Sequence, residues 1–154
     1  MEKEIKEILE NYDQLLESID GDYRGEKKQG RKKVLLVDDS AIMLRSMKSM
    51  LDRHYDICLA KSGEQALKVI LREQPDLVLL DYEMEGMDGK ETFEAMKKDA
   101  YMSTIPVVFL TSVSDRKTIY SVLKTEPDGY LLKPPDEKRI LETIEETLTN
   151  KTNK

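Results

Sequence analysis

A single histidine, a single cysteine and no tryptophan occur among the 154 residues of this chain. One cysteine cannot close an internal disulfide, so Cys58, inside the apolar stretch Ile57 to Ala60, reads as a small core residue of a reducing compartment. His54 follows a helical stretch between Arg53 and Tyr55 and reads as a surface residue at a helix end rather than a metal ligand. No run approaches eighteen apolar residues, and the start Met1-Glu2-Lys3-Glu4 is not a basic prelude to an apolar stretch. Neither a membrane span nor a secretory signal is expected. The glycine-rich loops GxGxxG and GxxxxGK are missing, which removes the common nucleotide sites. Positive charge is also in deficit: 25 Lys and Arg against 31 Asp and Glu leave a net charge of −6, which argues against nucleic acid as a direct partner. The chain is 39% apolar and 36% charged, enough to bury one core beneath a wet surface. A soluble, cytoplasmic protein is the expectation.

The charge is unevenly spread. Residues 1–20 hold two basic and seven acidic side chains, whereas Arg24 to Lys33 holds six basic and one acidic. With Gly21, Gly25 and Gly30 around it, the second stretch reads as a solvated linker, with a basic arm as the sharper alternative. Ile5, Ile8, Leu9, Tyr12, Leu15, Leu16 and Ile19, turned at the helical period, fall on one arc of about 120°. Residues 1–20 are therefore expected to form an amphipathic helix, and 1–32 an extension preceding a domain at 33–150. So short a helix needs a surface over its apolar stripe. A second copy, giving a homodimer, is the leading expectation; the chain's own domain and a different protein are the alternatives.

From Lys33 onward, short apolar runs alternate with segments of helical period. The runs are Val34 to Val37, Ile57 to Ala60, Leu77 to Leu80, Val107 to Leu110 and Tyr130 to Leu132. Unbroken by polar residues, they fit strands buried on both faces, and the alternation predicts an α/β fold: a doubly wound, five-stranded parallel sheet. Ser62 with Gln65 reads as a capping box, and Asp88, Ser114 and Asp136 stand where N-caps are wanted. Stripes such as Met43, Met47, Met50 and Leu51, or Ile140, Leu141, Ile144 and Leu148, are core faces.

Ligands of such sheets bind beyond the carboxyl ends of the strands. The first strand runs into Asp38-Asp39, the third into Asp81, the fourth into Thr111-Ser112, and the fifth through Tyr130 to Lys133-Pro134. In a parallel sheet all of these gather at one edge. Three carboxylates there repel, and one takes up a proton near neutral pH unless a cation intervenes. Hard oxygen donors suit Mg²⁺.

Val34-Leu35-Leu36-Val37-Asp38-Asp39-Ser40, Asp76 to Asp81, Met87-Asp88-Gly89, Val108 to Ser112 and Gly129 to Pro134 together resemble the receiver domain of bacterial two-component response regulators, in the family's order and over about residues 33–150. The resemblance is to the stand-alone, chemotaxis-regulator-like members, and it implies a flavodoxin-like receiver fold. It makes Asp81 the phosphoacceptor, Asp39 a direct metal ligand, and Asp38 an acid reaching the metal through water. The backbone carbonyl of Glu83 becomes a further ligand, and Lys133 the partner of the phosphoryl oxygens. Thr111 and Tyr130 become the switch pair, and Lys133-Pro134 a cis bond. Mg²⁺ is the implied cofactor. Two departures are Glu85, where proline is frequent, and Glu126-Pro127, where a small pair is common before Asp128-Gly129; the second is expected to reshape the exit of the fourth helix.

Loose phosphoryl transfer needs charge neutralisation and an in-line carboxylate, with no separate base, so the residues agree with the resemblance. Because the chain has no histidine suited to carry a phosphoryl group, the donor is expected to be a separate histidine kinase or histidine phosphotransfer protein. Only Lys151 to Lys154 follow the fifth helix, so output is expected through protein contact, by resemblance on the face of helix four, strand five and helix five. The chain reads as a phosphoacceptor rather than an enzyme. A phosphoryl sink or relay is the alternative. A Mg²⁺-dependent aspartyl phosphohydrolase fits less well, since the sequence offers no cap domain and no second acidic residue placed to act as acid and base.

Overall fold

The structure, a computed structural model, describes residues 30–112 and 116–152. The expected N-terminal helix and most of the linker, with the homodimer assigned to residues 1–20, fall outside these residues, as does the cap expected at Ser114.

The sheet has five parallel strands: β1 (Lys33–Val37), β2 (Asp56–Ala60), β3 (Leu77–Asp81), β4 (Val107–Thr111) and β5 (Gly129–Leu132). Their order, β2-β1-β3-β4-β5, is doubly wound, and it reverses direction at β1. The connecting helices are α1 (Ala41–Leu51), α2 (Gly63–Glu73), α3 (Gly89–Lys97) and α4 (Arg116–Lys124), and α5 (Glu137–Thr152) follows β5. α1 packs against α5, and α2 against α3. This is the doubly wound five-stranded parallel sheet that the sequence pattern predicts, in the flavodoxin-like arrangement that the resemblance implies.

Every residue of β1 to β4 is buried, as strands covered on both faces require. β5 departs from that expectation: Gly129 and Tyr130 are half-buried and Leu132 is exposed. Both β2 and β5 are edge strands, but β2 is flanked by α1 and α2, whereas β5 packs mainly on α5. The core centres on Phe109, whose ring meets Tyr82 and Phe93 edge-on at centroid distances of 5.2 and 5.4 Å.

Helix starts follow local chemistry. Asp88 and Glu91 form a reciprocal capping box on α3, and Asp136 accepts from Arg139 N–H at the start of α5. Ser62 caps α2 by accepting from Gln65 N–H, but the Gln65 side chain accepts from Lys61 N–H, one residue short of the cap. The expected box is thus displaced by one residue on its return bond.

Two helices leave by the same device. Gln74 and Glu126 have positive φ, 50° and 57°, and each precedes a proline and then an aspartate. Asp76 binds the first residue of β1 twice, through Asp76 N to Lys33 O and Lys33 N to its carboxylate, both at 2.8 Å. Asp128 does the same to Val107 of β4, at 3.0 and 2.9 Å. The Glu126-Pro127 departure therefore reshapes the exit of α4 into a copy of the exit of α2.

Part of the stretch expected to be a solvated linker is instead tied to the sheet. Arg31 donates to the carbonyls of Asp52 and Tyr55 at 2.6 Å, satisfying orphan acceptors around the C-terminal end of α1, and lies 3.8 Å from Asp56. Lys33 is buried in an ion pair with Glu73 at 3.6 Å.

Candidate metal and phosphoryl site

Register and the reversal at β1 build the site. β1 and β3 are neighbours, with Val37 opposite Leu80, so the next residues, Asp38 and Asp81, emerge side by side. Asp81 closes β3 opposite Leu110, and Thr111 closes β4 opposite Leu132. Lys133 follows at once, its N–H donating to Thr111 O at 2.9 Å. Four strand ends thus deliver two acids, a hydroxyl and a lysine to one edge.

Asp38, Asp81 and Thr111 are buried, Lys133 is half-buried, and Asp39 and Glu83 are exposed. One carboxylate oxygen from each of Asp38, Asp39 and Asp81 lies within 4.8 Å of the others. Lys133 Nζ bridges the two buried acids, at 2.6 Å from Asp38 Oδ2 and 3.0 Å from Asp81 Oδ1. Lys133 thus neutralises part of the charge of the carboxylate cluster.

The electrostatics follow. Burial, then the Asp38 charge, push the Asp81 carboxyl up to about 6, against the pull of Lys133 and of the Glu83 N–H. Burial alone would lower the Lys133 ammonium, but its bonds to Asp38 and Asp81 and their charges outweigh burial and raise it. Lys133 is therefore charged at neutral pH.

Three carboxylates so close together form a hard-oxygen donor set of the kind that holds Mg²⁺. Asp38 already uses both oxygens, accepting from Ser40 N–H at 2.9 Å and from Lys133, which suits an acid that reaches a cation through water. The expected ligand role of Glu83 concerns its carbonyl. The visible contacts are others: its N–H donates to Asp81 Oδ1 at 3.3 Å, and its carboxylate accepts from the Thr111 hydroxyl at 3.1 Å. That second bond was not legible in the sequence, since nothing local relates Glu83 to Thr111. Tyr130, half-buried in β5 opposite Phe109, packs against the core two residues before the strand end that carries Thr111. The Lys133-Pro134 bond is cis.

Gly89 holds the acceptor loop from behind. Its N–H donates to Tyr82 O at 3.0 Å, and a Cβ there would overlap the Asp81 carbonyl oxygen and come within 2.7 Å of Tyr82 Cα. The start of α3 thereby sits directly against the backbone of the acceptor. The signal was present in Met87-Asp88-Gly89, a cap followed by the smallest residue.

The profile of the response regulator receiver domain matches residues 34–145. Protein PilH of Pseudomonas aeruginosa is 34% identical over 117 residues, which cover 75% of this chain and 97% of PilH. Response regulator protein VraR of Staphylococcus saprophyticus is 37% identical over 123 residues, 78% of this chain and 58% of that protein. A nitrate/nitrite response regulator homolog of Haemophilus influenzae is similarly matched over 56% of its length, so the chain spans little more than half of these two relatives. Among solved structures, a CheY-like receiver domain protein from Methanospirillum hungatei has a TM-score of 0.72 at 26% identity, covering 80% of this chain and 98% of that one.

Proposed function

The chain belongs to the response regulator receiver family, and from that premise we propose that Asp81 accepts a phosphoryl group from a partner histidine kinase or histidine phosphotransfer protein, switching a protein-binding face. Receiver domains are signalling domains that bind Mg²⁺ in an acidic pocket. The observation that carries the reading is the placement of a buried Asp81 against Lys133 and beside Asp38 at the carboxyl edge of a central strand.

In the proposed step an Asp81 oxygen attacks the phosphorus of the donor. The P–N bond to the donor histidine breaks, its electron pair stays on the imidazole, and an acyl phosphate remains on Asp81. Lys133, held 3.0 Å from Asp81, pairs with the incoming phosphoryl oxygens. Asp38, Asp39, Asp81 and the Glu83 carbonyl are the groups that would hold Mg²⁺, which when bound neutralises charge on those oxygens. Thr111 exchanges its bond to Glu83 for one to the phosphoryl group, and the displacement is passed to Tyr130. Leu123 of α4 and Leu132 of β5 are exposed and Tyr130 is half-buried, apolar surface that supports an output face on α4, β5 and α5 for a protein target.

The match to PilH, over nearly the whole of that protein, supports a receiver that signals as a single domain. Among the described residues no helix is long and apolar enough to cross a membrane. Action in the cytoplasm, without direct contact to nucleic acid, is part of the same proposal. Incubation with Mg²⁺ and acetyl phosphate, followed by intact mass and peptide mapping, should show one phosphoryl group on Asp81. Asp81→Asn should remove it and Asp39→Ala should raise the Mg²⁺ requirement. Equal labelling of Asp81→Asn would overturn the assignment.

A further inference from the structure

Between α3 and α4, on the sheet face opposite α1 and α5, runs a groove of about 690 Å³ that shares no residue with the phosphoryl site. It is basic in an acidic chain: Lys90, Lys97, Lys98 and Lys124 line it against one carboxylate, Glu94. It is also aromatic. Phe93 lies in its wall and Tyr120, 66% exposed, on its rim. Lys97 Nζ sits 4.9 Å from the Phe93 ring centre and Lys124 Nζ 5.7 Å from that of Tyr120. The lysine stems cover the rings while the ammonium heads reach water. An occupant must therefore offer an apolar stripe flanked by carboxylates, the pattern of an acidic amphipathic helix in a groove.

We propose that residues 1–20 of this same chain dock in the groove between α3 and α4. That segment carries seven acidic and two basic side chains around its apolar arc, so it complements the groove in charge and in pattern. Pairing with a second copy, the leading expectation from sequence, sets two such acidic segments against each other. The middle of α5 is no better as a seat, since it exposes Glu142, Glu145 and Glu146.

The connection is long enough. Arg31 clamps the chain at the strand-start edge of the sheet, and Lys97, Lys98 and Lys124, at the C-terminal ends of their helices, lie at that same edge. From β1 to β4 is two strand spacings, about 10 Å, and the helix layer lies about 10 Å further out. Residues 21–29 span up to about 30 Å when extended. The docking covers Tyr120 on one flank of α4, leaving Leu123 for the proposed output face.

The test uses the full chain with a nitroxide at Gln14→Cys, which labels selectively because Cys58 is 1% exposed. In a ¹⁵N-labelled, spin-labelled sample, the amide signals of Lys97, Tyr120 and Lys124 should weaken severalfold relative to the reduced control, and those of α1 should hardly change. A mixture of ¹⁵N chains lacking the label with unlabelled-nitrogen chains carrying it should show no such loss. Lys97→Glu with Lys124→Glu should restore the signals in the first sample. Weakening in the mixture would make a second copy the occupant, and no weakening in either sample would leave the groove without this segment; either result overturns the proposal.

Discussion

Asp81 shows how a single residue holds stability and chemistry in opposition. Its carboxyl is raised from an ordinary 3.8 to about 6 in the folded protein. Below about pH 4 the acid is neutral in both folded and unfolded chains and destabilises neither. Between about pH 4 and 6 the unfolded chain has lost the proton that the folded chain still holds, so stability falls across that window and levels off above it. A shift of this size corresponds at most to about 3 kcal/mol. Since Lys133 loses one partner in the variant, Asp81→Asn should gain about 1–2 kcal/mol near pH 7.5 in chelator, and nothing near pH 4. Urea denaturation at the two pH values checks this; an equal gain at both would assign the effect to packing rather than charge. At this scale the sequence exposed which acids stand at strand ends, but not that Glu83 accepts from Thr111 across 28 positions.

Elements transmit what the residues do. α3 starts against the Asp81 backbone through Gly89, where backbone atoms, unlike a flexible side chain, cannot swing aside. Gly89→Ala should therefore cost about 1–3 kcal/mol of stability and slow labelling by acetyl phosphate. A denaturation curve and a labelling time course measure the two effects, and labelling at the wild-type rate would show that the loop absorbs the methyl group. The end of α4 behaves oppositely. Glu126 adopts φ of 57° before a proline, a conformation doubly disfavoured for a side-chain-bearing residue. Glycine there relieves about 1–2 kcal/mol of strain while adding about 0.4–1 kcal/mol of unfolded-state entropy. Glu126→Gly should thus stabilise slightly, by about 0.5 kcal/mol, read as a higher urea midpoint at constant slope. Strand and helix placements were legible because apolar period and capping chemistry are local. The displaced cap at Gln65 and the half-exposed β5 were not, since side-chain reach and flanking helices decide them.

The whole molecule carries its own reporter in Cys58, in the middle of β2 and paired with Leu35. Burial pushes its thiol well above the ordinary value, with Glu73 adding to the effect. A thiol reagent should leave the native protein unmodified and react only as fast as the sheet opens, so labelling and loss of helical circular dichroism should share one denaturant dependence. A fast phase without denaturant would instead reveal local opening at the β2 edge. From the sequence by itself came the five strand–helix units and the acidic strand ends, with Asp81 among them, because periodicity, caps and motif order operate over a few residues. Only the tertiary structure decided that Lys133 bridges Asp38 and Asp81, that Arg31 clamps the entering chain, and that four lysines line one aromatic groove between α3 and α4. Lys133 meets Asp38 across 95 positions, and such a meeting depends on which strands become neighbours and where helices settle, which no local pattern encodes.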